Sequence, residues 1–496
     1  MDLRRLLAVL MVAVLVQLGF VCLAYGNFIF KVQHKFAGRE RTLAALKAHD
    51  AHRHRRILSA VDLPLGGNGS PTVAGWNKMK GEYLEDANLY FAKIGLGNPP
   101  KDYYVQVDTG SDILWVNCVN CDKCPTKSGL GVKLTLYDPQ SSASATNVYC
   151  DDAFCAATYN GVIQGCTKDL PCQYSLVYGD GSASAGFFVR DNLQFERVTG
   201  NLETAPANGS VVFGCGAKQL GELGTSSEAL DGILGFGQAN SSMISQLAAA
   251  GKVKRTFSHC LDNVNGGGIF AIGEVVSPKV NTTPMVANKP HYNVVMKEIE
   301  VGGDVLELPT DIFSDGDQRG TIIDSGTTLA YLPETVYELM MAKIVAQQPG
   351  LELHTVEEQF TCFQYSGNVD DGFPDVKFHF VDSLTLSAYP HDYLFQIRED
   401  VWCIGWQNSG LQSKDGRDMT LLGDLVLSNK LVLYDIENQA IGWTEYNCSS
   451  TIKVRDQSSG SVYSVGAHNV SAASRLISGR SVTFLLLVFA VFYKFS

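Results

Sequence analysis

Val105-Gln106-Val107-Asp108-Thr109-Gly110-Ser111 recurs 216 residues later as Thr321-Ile322-Ile323-Asp324-Ser325-Gly326-Thr327. Each copy is an apolar run ending in Asp, followed by a hydroxyl residue, Gly and a second hydroxyl residue. Downstream of each comes an apolar pair bounded by glycine. These are Asp231-Gly232-Ile233-Leu234-Gly235 for the first copy and Leu421-Leu422-Gly423-Asp424 for the second. Two similar halves, each setting one Asp on a glycine turn behind a buried strand, predict two lobes related by a pseudo-twofold axis.

Two carboxyls facing each other across such an axis cannot both ionise freely, so one keeps a proton and the other acts as a base. The base takes a proton from a water held between them, and the acid donates to a peptide carbonyl. This chemistry needs no covalent intermediate, metal or cofactor. Thr109, Ser111, Ser325 and Thr327 supply hydroxyls to hold Asp108 and Asp324. Gly110 and Gly326 permit the close backbone approach that such a site requires.

The surrounding text is β-rich. Asn88 to Ile94 is a strand-like run ended by Gly95, Gly97 and Asn98-Pro99-Pro100. In the next run Tyr103, Val105 and Val107 share one face. Helical spacing is confined mainly to Met243–Ala250 and Pro333–Gln347. The reading is a mostly β, bilobal chain with its cleft between the lobes.

At this point the chain resembles the pepsin-like aspartic proteases over about residues 83 to 448. The first Asp motif runs on into Ile113-Leu114-Trp115-Val116, and Tyr178-Gly179-Asp180-Gly181-Ser182 matches the tip of that family's mobile flap. The resemblance implies the pepsin-like acid protease fold, Asp108 and Asp324 as the catalytic pair, and Tyr178 with Gly179 as flap residues over the substrate. It also implies Trp115 as the packing and hydrogen-bonding partner of Tyr178, extended polypeptides as substrates, and a monomer. The cysteine-dense insertion between Trp115 and Tyr178 and the Asp-Ser-Gly-Thr of the second copy resemble the plant, nepenthesin-type branch. The basic stretch His52-Arg53-His54-Arg55-Arg56 and the tail, Ser471-Ala472-Ala473-Ser474 followed by the apolar run Val482–Tyr493, together resemble the membrane-anchored plant members. Cys362 with Cys403 matches the family's second-lobe bridge. The rival class, a protease-like protein that only binds or inhibits other proteins, predicts a lost Asp or a broken flap. A structural surface protein has no need of matched Asp motifs.

Of thirteen cysteines, Cys22 falls in a leader, leaving twelve for six disulfides in an oxidising compartment. Cys118, Cys121 and Cys124 allow a metal or iron–sulfur reading, but the fourth cysteine of the bacterial cluster pattern is missing. Cys150 and Cys155 are close enough in sequence for a small local loop; the other pairings stay open.

The net charge of −12 opposes nucleic acid as a partner. Residues 1–80 carry 12 basic and 4 acidic side chains, whereas 81–450 carry 22 and 46. Arg4 and Arg5 precede the apolar run Leu6–Leu23 and small residues, the order of a secretory signal over 1–26; the alternative is a membrane anchor. Residues 27–80, with His52-Arg53-His54-Arg55-Arg56, read as a basic propeptide that pairs with and inhibits the acidic body, or as a solvated tail. The lobes are expected at 81–280 and 281–450, followed by a linker over 451–474.

At the far end, Val482–Tyr493 is apolar but short for a bilayer. It follows a polar spacer and Ser471-Ala472-Ala473-Ser474, the pattern for a glycosylphosphatidylinositol anchor at or near Ser471, with 475–496 removed. A tail-anchor helix is the alternative. Asn68, Asn208, Asn240, Asn281, Asn447 and Asn469 sit in glycosylation sequons. Asn447 is the weakest, because it precedes Cys448. The expected location is the secretory pathway and the outer face of the plasma membrane.

Overall fold

The computed structural model describes residues 28–34, 90–161, 163–177, 182–226, 229–262, 267–309, 312–313, 320–356, 360–398, 400–408, 419–456 and 459–466. A fourteen-stranded sheet runs through the molecule. The strand Lys101–Asp108 shows why the text reads as β: its burial alternates, with Tyr103, Val105 and Val107 inside. Beside it the short strand Gly232–Gly235 runs parallel, setting Val107 opposite Leu234 and Asp108 opposite Gly235. The second half repeats the arrangement in a five-stranded sheet, where Thr321–Ile323 runs parallel to Thr420–Leu422 and Ile323 lies opposite Leu422. The two Asp motifs thus end equivalent buried strands, as the internal repeat predicts.

The strands Thr256–Leu261, Gly268–Ile272 and Lys430–Asp435 neighbour one another and so join the two halves of the chain in the large sheet. The expected helices form over Met243–Ala249 and Glu334–Ala346. Ser242 caps the first, and Val336, Met340 and Ile344 at helical spacing bury one face of the second.

The basic leader does not stand wholly apart from the lobes. Its residues Phe28–His34 form a strand set between Gly268–Ile272 and Tyr90–Leu96. Residues 35–89 lie outside the described ones. At the other end, the stretch expected as a linker over 451–474 carries a hairpin, Ile452–Arg455 with Val462–Val465. Alternation explains the difference, since Ile452 and Val454 face inward while Lys453 faces water. The hairpin docks on the turn between the long strands Ala183–Gly200 and Glu203–Leu220. There Leu202 N–H donates to Ser464 O at 2.8 Å and Ser464 N–H to Asn201 Oδ1 at 2.9 Å. Ile29 of the leader shares a core with Ile452, Val454 and Val465.

All twelve cysteines outside the leader form six disulfides. Cys362–Cys403 is present, on neighbouring strands. The local Cys150–Cys155 loop is corrected, because Cys150 pairs with Cys166 and Cys155 with Cys172. Asp152 caps a helix over Ala153–Thr158 and carries Cys155 onto its buried face. Hydrogen bonds from Cys150 N–H to Leu170 O and Cys172 N–H to Val148 O meanwhile draw 148–150 alongside 170–172.

Candidate active site

Each aspartate is held first by its own motif. Asp108 Oδ1 accepts the Gly110 N–H at 2.7 Å and Oδ2 the Ser111 hydroxyl at 2.6 Å. Asp324 Oδ1 accepts the Gly326 N–H at 3.0 Å and Oδ2 the Thr327 hydroxyl at 2.9 Å. The two motifs then interlock. Ser325 N–H donates to Thr109 Oγ1 at 2.9 Å, and Thr109 Oγ1 lies 3.3 Å from Asp324 Oδ1 and 3.2 Å from Ser325 Oγ. The hydroxyls therefore divide their work: Ser111 and Thr327 hold the aspartate of their own lobe, whereas Thr109 and Ser325 bind across the pseudo-twofold axis. Asp108 and Asp324 are both buried, so these bonds fix the carboxyls in a site largely shielded from solvent.

Glycine makes the threading behind the dyad sterically possible. A Cβ at Gly235 would lie 2.4 Å from the Asp112 carbonyl carbon, and one at Gly423 would lie 2.3 Å from Leu329 O. The backbone bonds Phe236 N–H to Asp108 O and Asp324 N–H to Leu422 O close both crossings.

Trp115 begins the next strand and is buried among Cys150, Cys155, Cys172, Tyr174 and Phe188, beneath the cysteine-rich insertion. Tyr178 and Gly179 lie outside the described residues, as do Asn68, Asn469 and Ser471. Asn208, Asn240, Asn281 and Asn447 are exposed, and Cys448 is bonded to Cys260. Among the described residues no helix is long and apolar enough to cross a membrane.

Other residues reach the site without any motif to announce them. Tyr292, fully buried, donates its hydroxyl to Phe236 O at 2.6 Å and its carbonyl accepts the Ile323 N–H, tying the strand behind one aspartate to the loop behind the other. Its ring lies 4.6 Å from that of Tyr434, which stacks on Phe257 at 4.5 Å. An isolated Tyr in a strand-like run carries no such signal; only the lobe-to-lobe geometry does.

Burial perturbs several ionisable groups near the dyad. It pushes Asp112 up to about 6, with an opposing N–H bond from Ala239 and a smaller upward push from Asp108. It pushes Asp231 up to about 6 despite N–H bonds from Tyr104 and Thr135. It pushes the His259 imidazole down to about 3. A raised carboxyl contributes stability that is full below its ordinary value of 3.8 and is lost as pH rises through about 6. The lowered imidazole contributes above its ordinary 6.5, and its contribution is lost as pH falls. Between about pH 4.5 and 7 two carboxyls oppose one imidazole, a net loss of about 1 kcal/mol as pH rises. Thermal melts are expected to give a midpoint about 1 °C higher at pH 4.5 than at pH 7. A profile that rises with pH would contradict this assignment.

Residues 90–274 match the family described as xylanase inhibitor N-terminal, and 291–445 the family described as xylanase inhibitor C-terminal. The chain is 55% identical over 472 residues to aspartic proteinase 36 of Arabidopsis thaliana, covering 95% of this chain and 94% of that one. It is 52% identical to aspartic proteinase 39 of the same plant, covering 96% of each. Nepenthesin-2 of Nepenthes gracilis is 28% identical over 422 residues, covering 80% of this chain and 84% of the relative. The solved structure of edgp superposes with a TM-score of 0.60 at 16% identity, covering 85% of this chain and 95% of the other. Basic 7S globulin from soybean gives 0.58 at 18% identity, covering 85% and 96%, a likeness of fold.

Proposed function

The chain belongs to the pepsin-like plant aspartic proteinases, and from that premise we propose that it is an acid-active endopeptidase using Asp108 and Asp324 to activate a water against an extended polypeptide. The observation that carries this reading is the interlock through Thr109, which bonds across the lobes to both Ser325 and Asp324. Two carboxyls sharing a water hold one proton between them. The deprotonated oxygen removes a proton as the water attacks the peptide carbon, and the protonated one donates to the carbonyl oxygen. Collapse of the tetrahedral species then expels the amine, with the proton returned through the same pair.

The leader is a propeptide in this reading, supported by the seat of Phe28–His34 in the central sheet. Its cluster Arg53, Arg55 and Arg56 pairs with carboxylates of the acidic body at neutral pH, and acid releases it. Replacing the three arginines by Gln is expected to lower latency at neutral pH, measured as peptidase activity before acid treatment. Equal latency would reject the electrostatic lock. The carboxyl-terminal pattern supports a glycosylphosphatidylinositol anchor near Ser471 holding a monomer at the outer face of the plasma membrane. Release by phosphatidylinositol-specific phospholipase C tests it.

The enzyme itself is tested by cleavage of a quenched apolar peptide across pH 3 to 7 after acid treatment, with and without a transition-state inhibitor of aspartic proteases. Acid-peaked, inhibitor-sensitive cleavage is expected. A folded, leader-free protein with no activity would favour the second reading, a silent binding or inhibitor protein, which draws on the description of the two matched families.

A further inference from the structure

The strand Phe28–His34 sits inside the fourteen-stranded sheet, not at its edge. On one side it runs antiparallel to Gly268–Ile272, from Phe28 opposite Ile272 to Val32 opposite Gly268. On the other, Val32, Gln33 and His34 lie opposite Ala92, Phe91 and Tyr90, while Phe28 and Ile29 lie opposite Arg197 and Glu196. Among the described residues no other pairing joins Gly268–Ile272 and the strands beyond it to Tyr90–Leu96 and its neighbours. Loss of an edge strand bares one row of backbone donors and acceptors, but loss of this one would bare two facing rows. They lie at buried residues, including Ala92, Ile269, Phe270 and Ala271, where unpaired backbone groups are rarely tolerated.

A second set of contacts holds the strand from outside the sheet. Ile29 is buried in a core with Val198, Ile452, Val454 and Val465. The last three belong to the carboxyl-terminal hairpin, which is fixed by the Cys260–Cys448 bridge just before it, by pairing of Val454 with Val275, and by the turn at Asn201 and Leu202. Strand and hairpin both fall outside the residues that match the two families, 90–274 and 291–445, and they pack on each other. The sequence just before Tyr90 is a poor substitute for the strand. Folding back along Tyr90–Leu96 through a turn of two, three or four residues would set Glu82, Gly81 or Lys80 at the place of Ile29. A turn of five is needed before a large apolar residue, Met79, reaches it.

We propose that Phe28–His34 is a permanent strand of the active enzyme, clamped by the carboxyl-terminal hairpin and kept as a separately bound peptide once the basic stretch His52–Arg56 is cut away. The interaction surface is the slot between Gly268–Ile272 and Tyr90–Leu96. Its partner is an extended segment of the same chain with an apolar residue at the place of Ile29. This rests on the endopeptidase reading with its removable leader, and it divides that leader into a strand that stays and a basic stretch that leaves.

The test takes the secreted protein through acid treatment and native gel filtration, then identifies the chains of the active fraction by intact mass and amino-terminal sequencing after denaturation. A segment containing residues 28–34, in equimolar amount with the body, is expected. Full activity in a fraction that lacks it would overturn the proposal. In a second arm trypsin nicks the latent protein at Arg53, Arg55 and Arg56, so that processing does not depend on the protein's own activity. Lys31, inside the strand, should resist, and the nicked peptide should stay with the body on gel filtration. Early cleavage at Lys31 or release of the peptide would overturn the assignment. Val454→Asp sets an unpaired charge in the core that holds Ile29, and its nicked form is expected to lose the peptide and most of its turnover together. If that variant kept both, the hairpin would not be the clamp; if it failed to fold, the two wild-type arms would still decide the strand. Nicked wild-type protein that keeps the peptide and cleaves nothing after acid treatment would count against the endopeptidase reading and leave the strand in place.

Discussion

Asp108→Asn is expected to lower kcat/KM for the quenched peptide at least about 10³-fold while leaving the protein folded, the scale of losing a positioned proton-transfer group. Asparagine has nearly the same shape. Its oxygen can still accept the Gly110 N–H that Asp108 Oδ1 accepts at 2.7 Å, and its amide can donate to Ser111 once that hydroxyl rotates to accept. What it cannot do is exchange a proton at pH 4 to 5. The same reasoning applies to Asp324→Asn, whose amide would face Thr327 Oγ1. Two losses of comparable size, with melting midpoints near wild type, are the signature of a shared proton. Loss in one variant alone would mean that the second carboxyl serves only as structure. An unchanged rate in both would place any observed cleavage in a contaminant or another site. A binding protein makes the opposite forecast, since its partner affinity would survive either substitution.

The site was legible because its chemistry is written twice. Asp-hydroxyl-Gly-hydroxyl after an apolar run is local information, and the strand, the turn and the bonds from Gly110, Ser111, Gly326 and Thr327 all lie within three residues of their aspartate. The crossing strands were legible for a related reason, since glycine beside an apolar pair marks a buried strand against which another backbone lies closely. The bonds of Thr109 and Ser325 across the axis were not, because which lobe a hydroxyl serves depends on how the halves meet. The same holds for His259 and Tyr434, separated by 175 residues and unremarkable in their own strands. Disulfides divide along this line too. Cys362–Cys403 lies between neighbouring strands, whereas Cys150 and Cys155, five apart, are separated by a helix start that proximity in sequence does not reveal. Cys118–Cys215 and Cys260–Cys448 close loops of 97 and 188 residues, for which spacing provides no guide.

The two chain ends were read mainly from charge and composition, and the structure adds packing. Ile29 of the leader strand, Ile452 and Val454 of the carboxyl-terminal hairpin, and the Cys260–Cys448 bridge belong to one small core. Arg197 also reaches Asp456 at 3.6 Å from the long hairpin of the first lobe. A segment that composition marks as a polar tether thus has an apolar face of its own, visible only as alternation at Ile452, Val454 and Val465.

Gly423→Ala is expected to cost about 3 kcal/mol and most of the activity together, at the upper end of the usual cost of overpacking. The added methyl would lie 2.3 Å from Leu329 O and 2.4 Å from Thr327 O, which are backbone atoms that no rotamer change can clear. Thr327 O is already accepting the Asp424 N–H at 2.7 Å. Moving it breaks that bond and shifts the residue whose hydroxyl holds Asp324 Oδ2 at 2.9 Å. The steric effect on the fold and the effect on the dyad therefore share one cause. A melting midpoint lower by roughly 3–4 °C is expected, with kcat falling more than KM rises. Gly350→Ala, whose Cβ meets nothing within 4 Å, is the control and should change the midpoint by about 1–2 °C at most. If Gly423→Ala melted and turned over like that control, Thr420–Leu422 would not be threaded behind Asp324, and the pairing of Ile323 with Leu422 that carries the second half of the pseudo-twofold would be wrong.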